Sequence, residues 1–244
     1  MTGMLSDAEK ERYSRQILLF GEDGQERLKR TRVFLAGAGG LGSAMALYLA
    51  ATDFNSIRIV DCDQVDLSNL NRQILHGVSD INRDKVLSAQ ESLTGLNSEI
   101  EVDALVETMS EENIDRLVQS CDLIMDGMDS FAARYILNRA ALKSRIPLIH
   151  GAISGYQGQA TTVIPGRTAC LRCIFPRAPP ASVLPALGST CGVIGSIAVT
   201  EAVKYVTGTG KLLEDRLVLW DGRNGCLDEL ACARNALCPD CSEL

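Results

Sequence analysis

The ten residues from Val33 to Gly42, an apolar run "VFLA" followed by "GAGGLG", restrict the fold more than any other stretch of the chain. The run reads as a strand, and the small residues after the glycines, "SAMALYLAA", read as a helix that packs closely on it. The glycines fit G-x-G-x-x-G spacing: Gly37 for a tight turn, Gly39 for close approach of backbone to phosphate, and Gly42 for helix–strand packing. A helix that starts in such a turn offers free N–H groups and the positive end of its dipole to an anion. Asp61 closes the next apolar run, about 20 residues on, where a carboxylate accepts from a ribose hydroxyl. On these residues alone, the default ligand is NAD(P).

The rest of the first half repeats the strand–helix alternation. Residues 6–30 read as a polar helical lead-in, with a strand at 32–37, a helix at 41–53, the strand "SIRIVDCD" and a helix at 83–95. "EIEVDALV" is a further strand, "MSEENIDRLVQS" a short amphipathic helix, and "CDLIMDGM" a nearly continuous apolar strand that ends at Asp129. A helix at 130–144, capped by Ser130, leads into the strand "PLIHGAI". Continuous apolar strands between helices predict an α/β fold with a doubly wound, Rossmann-like, mostly parallel sheet. After about residue 155 the pattern changes. "YQGQATTVIPG" and "RLVLWDG" read as antiparallel strands, the Pro- and Ala-rich stretch at 176–189 as a loop across the domain face, and 192–206 as a helix. The expected organisation is one domain over 1–244: lead-in 1–30, nucleotide half 31–155, and a second half 156–244.

Charge narrows the partners. The net charge of −7 and the lack of a basic stripe exclude a bulk polyanion such as nucleic acid. No run of about 18 apolar residues offers a membrane span, and the polar start lacks a signal-peptide core. A cytoplasmic setting is therefore expected. Thiols stay reduced there, so the nine cysteines read as metal ligands, a candidate reactive thiol and small packing residues.

The loop after Asp61 makes a simple dinucleotide site insufficient. "DLSNLNRQ" supplies Asn69 and Arg72, and Lys85 follows at the start of the next helix. A dinucleotide needs few cations there, whereas a triphosphate attacked at its α-phosphorus needs charge neutralisation by Arg, Lys and a divalent metal. Asp129 is the carboxylate suited to Mg²⁺, which takes one or two carboxylates plus substrate phosphates. Taken singly, Arg72 and Lys85 read equally well as solvated charges and Asp129 as part of a helix cap. Their coincidence at one sheet edge carries the reading. The two histidines, His76 and His150, read as structural.

Two knuckles, "CLRC" at 170–173 and "CPDC" at 238–241, have zinc spacing. Cys170, Cys173, Cys238 and Cys241 would close a tetrahedral Zn²⁺ site with no open position, hence a structural one. Cys191 is a candidate reactive thiol: it falls at the expected start of a helix, whose dipole lowers a thiol pKa. Cys62, Cys121, Cys226 and Cys232 are expected to be buried or half-buried.

In this order, "RYSRQ" at 12–16, "GAGGLG", "DCDQVDLSNLNRQ" from Asp61, Lys85, "DGMDSFAARYILN" at 126–138 and the Cys-x-x-Cys pairs resemble the MoeB/ThiF/HesA family. These are bacterial relatives of ubiquitin-activating enzymes, and the resemblance spans nearly the whole chain. It implies an adenylyltransferase that uses ATP and Mg²⁺ to activate the C-terminal Gly-Gly carboxylate of a ubiquitin-like sulfur carrier, MoaD- or ThiS-like, with release of pyrophosphate. By the same resemblance, Gly39 and Gly40 approach the phosphates and Asp61 holds the ribose. Asn69, Arg72 and Lys85 contact the phosphates, and Asp129 positions Mg²⁺. Arg15 reaches the γ-phosphate from a neighbouring subunit, which implies a homodimer, and a separate protein donates the sulfur. Three alternatives stay open: an NAD-dependent oxidoreductase, a non-catalytic adaptor, and adenylation of a small molecule, peptide or tRNA base.

Overall fold

The apolar runs pair into one sheet, and their pairing order determines where a ligand can sit. A computed structural model describes residues 4–178 and 184–244. Its elements in chain order are α1 (Asp7–Arg12), α2 (Ser14–Arg30), β1 (Arg32–Ala36), α3 (Gly40–Thr52), β2 (Ser56–Val60), α4 (Lys85–Leu96), β3 (Glu101–Leu105) and α5 (Ile114–Val118). They continue with β4 (Leu123–Asp126), α6 (Phe131–Ser144), β5 (Leu148–Ser154), β6 (Gln157–Val163), α7 (Leu171–Ile174), α8 (Gly188–Thr207), β7 (Arg216–Asp221) and β8 (Cys226–Ala231).

The eight strands lie in the order β3-β2-β1-β4-β5-β6-β7-β8. β1 to β5 pair in parallel and β6 to β8 antiparallel, as the change of pattern after residue 155 predicts. Alternate strand residues feed two cores. Val33, Leu35, Ile57, Ile59, Leu123 and Met125 pack under α3, α4 and α8, whereas Phe34, Ala36, Val60 and Ile124 pack against α5 and α6. A sheet buried on both faces needs apolar residues at successive positions, which accounts for the unbroken runs. Strand order reverses between β1 and β4, so their carboxyl ends open a crevice at the switch point.

Several boundaries differ from the sequence reading. β4 stops at Asp126: Gly127 N–H makes the last ladder bond, to the Ala36 carbonyl (2.9 Å), and the Asp126 carboxylate then turns back onto Met128 N–H (3.0 Å). Asp129 therefore lies on the loop beyond the strand. α8 begins at Gly188 and not near 192. The helix expected over 109–120 keeps only Ile114–Val118. β8 has no counterpart in the sequence reading: its Leu227 and Leu230 do not alternate, and every residue of it is exposed. Of the loop at 176–189, residues 179–183 lie outside the described residues; its last part runs beside the β5–β6 turn, where Gly155 N–H donates to Pro185 O at 2.7 Å. Among the described residues no helix is long and apolar enough to cross a membrane.

Candidate nucleotide cleft and metal centre

Gly37 and Gly42 fit the turn and packing roles that their spacing predicts. Gly37 sits at φ +92°, where only glycine is comfortable, and a Cβ on Gly42 would lie 1.9 Å from the Gly37 carbonyl oxygen. Gly39 precedes α3, and no side chain caps that helix, so its first N–H groups stay free for an anion. The loop is held from outside. Asp61 Oδ2 accepts from Ala38 N–H (2.8 Å), and His76 Nε2–H donates to Ala38 O (3.2 Å) while its Nδ1 accepts from Ser88 Oγ (2.9 Å). Burial lowers the His76 pKa, which keeps this ring neutral and structural.

A cleft of about 1040 Å³ opens at this switch point, and Gly39, Gly40, Asp61, Asn69, Arg72, Lys85 and Asp129 all line it. Asn69 ends a short 3-10 turn, where its Oδ1 accepts from Asp66 N–H (3.1 Å). Arg72 is half-buried and donates to Ser68 O (3.0 Å). Lys85 opens α4 with its side chain buried, paired to Asp63 at 2.7 Å. Asp129 is exposed and makes no hydrogen bond or ion pair among the described residues, so its carboxylate is free for a cation. That fits Mg²⁺, whose remaining ligands come from phosphates and water.

Arg15 does not line the cleft of its own chain. Three other residues of its motif are structural. Tyr13 is buried, accepting at its hydroxyl from Asn97 Nδ2 (2.9 Å); Gln16 Nε2 donates to Thr52 O (3.0 Å) and Arg12 to Leu96 O (2.6 Å). These contacts anchor the lead-in to the C-terminal ends of α3 and α4. Arg15 alone of the motif's cations is exposed without a partner among the described residues.

The four knuckle cysteines converge. Sγ···Sγ distances are 3.8 Å for Cys170–Cys173, 3.6 Å for Cys170–Cys238 and 3.5 Å for Cys173–Cys241. A tetrahedral zinc with Zn–S near 2.3 Å places its sulfurs about 3.8 Å apart, while a disulfide needs about 2.05 Å. The donor set fits zinc and not a disulfide. Asn138, fully buried on α6, ties both knuckles together: its Oδ1 accepts from Leu171 N–H (2.9 Å) and its Nδ2 donates to Asp240 (2.9 Å). Arg172 stacks on Tyr135 at 3.7 Å from the same helix.

The other cysteines require corrections. Cys191 lies within the first turn of α8, 2% exposed, with its Sγ against Gly40. Burial pushes its thiol up, only partly offset by Arg72, so the expected lowering does not occur. Cys62, on the cleft rim, and Cys226 are exposed rather than buried.

Three cleft residues went unread in the sequence. Asp63 pairs with Lys85. Gln73 is 4% exposed with its Oε1 unpartnered among the described residues. Arg134 is 4% exposed beside Asp126, which accepts from His150 Nδ1–H at 2.7 Å. All three stand inside motifs already singled out, but their roles depend on which way each side chain turns.

The ThiF family model matches residues 13–240. The SAMP-activating enzyme E1 of Haloferax volcanii is 37% identical over 251 residues, covering 100% of this chain and 93% of that protein. The sulfur carrier protein adenylyltransferase of Thermus thermophilus is 37% identical over 248 residues, covering 96% and 92%. Among solved structures, E. coli MccB with MccA-N7isoASN superposes with a TM-score of 0.88 over 98% of this chain and 76% of that one; at 19% identity it speaks for the fold alone.

Proposed function

This chain belongs to the ThiF family, and from that premise we propose that it is an ATP-dependent adenylyltransferase acting on the C-terminal Gly-Gly carboxylate of a ubiquitin-like sulfur-carrier protein. The observation that carries the reading is the cleft itself. Free helix N–H groups, Asn69, Arg72 and Lys85 surround a site that also holds a carboxylate, Asp129, with no partner among the described residues. A nicotinamide dinucleotide gives no reason for that cation set beside a free carboxylate; a triphosphate gives one.

The chemistry asks little of acid–base groups. A carboxylate is already nucleophilic at neutral pH, so one of its oxygens bonds to the α-phosphorus as the bond from that phosphorus to the pyrophosphate oxygen breaks. Pyrophosphate leaves with the electron pair, and no proton moves. Arg72 and Lys85 offset the charge that gathers on the leaving group, the α3 N–H groups hold phosphate oxygens, and Asp61 accepts from the ribose. Asp129 would hold Mg²⁺, which supplies further neutralisation of the phosphates. Arg15, exposed and without a partner among the described residues, serves the cleft of a second copy, so the working unit is a homodimer. Zinc on the four cysteines holds the C-terminal segment to α6, and the sulfur comes from a separate donor protein.

ATP–pyrophosphate exchange with a panel of carriers ending in Gly-Gly tests the reading. Exchange that depends on one carrier and disappears when its last glycine is removed is expected. Tight ATP binding with no exchange for any carrier contradicts it.

A further inference from the structure

A second groove, about 560 Å³, runs over β5, β6 and β7 and has apolar walls from Phe131, Phe175, Leu219 and Trp220. Among the described residues three line both it and the nucleotide cleft: Ile153, Leu184 and Arg134. Arg134 is the one charged residue at that junction. Its donors are incompletely used. Nη2 donates to Met128 O at 2.7 Å, Nε lies 3.7 Å from Asp126 Oδ2 without a hydrogen bond, and Nη1 makes none among the described residues.

The reason lies one shell deeper. Asp126 is fully buried, and both its oxygens are taken: Oδ1 by Met128 N–H (3.0 Å) and Oδ2 by His150 Nδ1–H (2.7 Å). It holds the guanidinium by charge but leaves donors unspent. The Phe131 ring, 5.1 Å from the guanidinium carbon, fixes its position. A buried guanidinium with idle N–H groups is costly unless a ligand completes it, and its planar fork matches a carboxylate. The other cleft cations, Arg72 and Lys85, follow β2; Arg134 alone follows β4, on the side that continues into the groove.

We propose that Arg134 binds the terminal carboxylate of the acceptor tail where groove and cleft meet, setting it in line with the α-phosphorus. The proposal rests on the carrier-adenylation reading and deepens it. A negatively charged tail must approach a triphosphate of the same sign, and a cation at the junction offsets that repulsion. Arg134 makes no bond to phosphorus and moves no proton. It is a binding residue that discriminates an acid from its neutral analogue.

The test pairs two carriers, one ending in the free acid and one in the C-terminal amide, with wild-type protein, R134Q and R134K, all with a non-hydrolysable ATP analogue. Calorimetric Kd values for the wild type are expected to favour the acid by about tenfold or more. R134Q should bind acid and amide alike, while its affinity for the ATP analogue stays within about twofold, well under the 1.4 kcal/mol that a tenfold change represents. R134K, which keeps the charge and loses the fork, should give an intermediate ratio and serves if R134Q does not fold. An acid-over-amide ratio unchanged in either variant overturns the proposal, including the case where both carriers weaken in parallel, as a purely structural role would produce. Wild-type protein that binds neither carrier overturns the carrier reading instead, and is recognised without any variant.

Discussion

The nucleotide cleft and the cysteine knot are both built from residues far apart in sequence, yet they end in opposite states. The knot is closed: four sulfurs face one point, three of them buried, and Asn138 ties its halves together. The cleft is open: among the described residues Asp129 has no partner, Gln73 Oε1 and Arg134 Nε are buried without one, and the first turn of α3 has no capping side chain. Arg172 Nε in the first knuckle is also buried without a hydrogen bond, 3.8 Å from Asp240, so the contrast rests on the four converging sulfurs against the cleft's exposed, open carboxylate. One helix joins the two, since α6 starts beside Asp129 and carries Arg134 and then Asn138.

If that division is right, damage to the knot appears as lost structure and damage to the cleft as lost chemistry. The largest effect should come from Cys238→Ser. Structural zinc in small domains contributes on the order of 10 kcal/mol, comparable with the whole stability of a domain, so this variant should lose metal and cooperative unfolding together. Metal analysis and calorimetry check it; a variant with native melting and no zinc would make the knot dispensable. Next, Asp129→Ala should lower adenylate formation by about 10²-fold or more with melting temperature and zinc content unchanged. Retained activity would remove Asp129 from the site.

Asn138→Ala lies between the two regions and reads out how tightly α6 couples them. Losing two buried hydrogen bonds costs about 2 kcal/mol, a drop of about 5 °C in Tm for a chain of this size, with zinc held more weakly against a chelator. A Tm unchanged from wild type would mean that α6 does not couple knot to fold. The smallest effect concerns the thiols. Cys62 and Cys226 should alkylate readily in the native state while Cys191, buried with its pKa raised, stays protected until unfolding. Mass spectrometry of the labelled peptides distinguishes them; fast labelling of Cys191 would restore it as a reactive thiol.

Much of this was legible in the chain. Gly37 and Gly42 sit where their spacing demands, Ser130 caps α6 by accepting from Ala133 N–H at 3.3 Å, and the cleft gathers the loop residues from Asp61 to Lys85. Period and capping are local properties, so a sequence displays them. What failed was tertiary. β8 exists because β7 offers it a ladder, not because its own residues alternate, and Cys191 is buried because α8 starts one turn earlier than its apolar pattern indicates. The division of labour within "RYSRQ" was equally hidden: Tyr13 and Gln16 find partners 36 or more residues away and Arg12 bonds Leu96 O, which leaves Arg15 as the motif's one cation without a partner among the described residues.

On the proposed function the open cleft joins AMP to a carrier's terminal carboxylate, and incubation of the protein and a Gly-Gly carrier with ATP labelled at either the α- or the γ-phosphate decides it. Label on the carrier from α-labelled ATP alone, absent when the last glycine is deleted, is the predicted result. Label from the γ-phosphate, or none from either while ATP is bound, would contradict it.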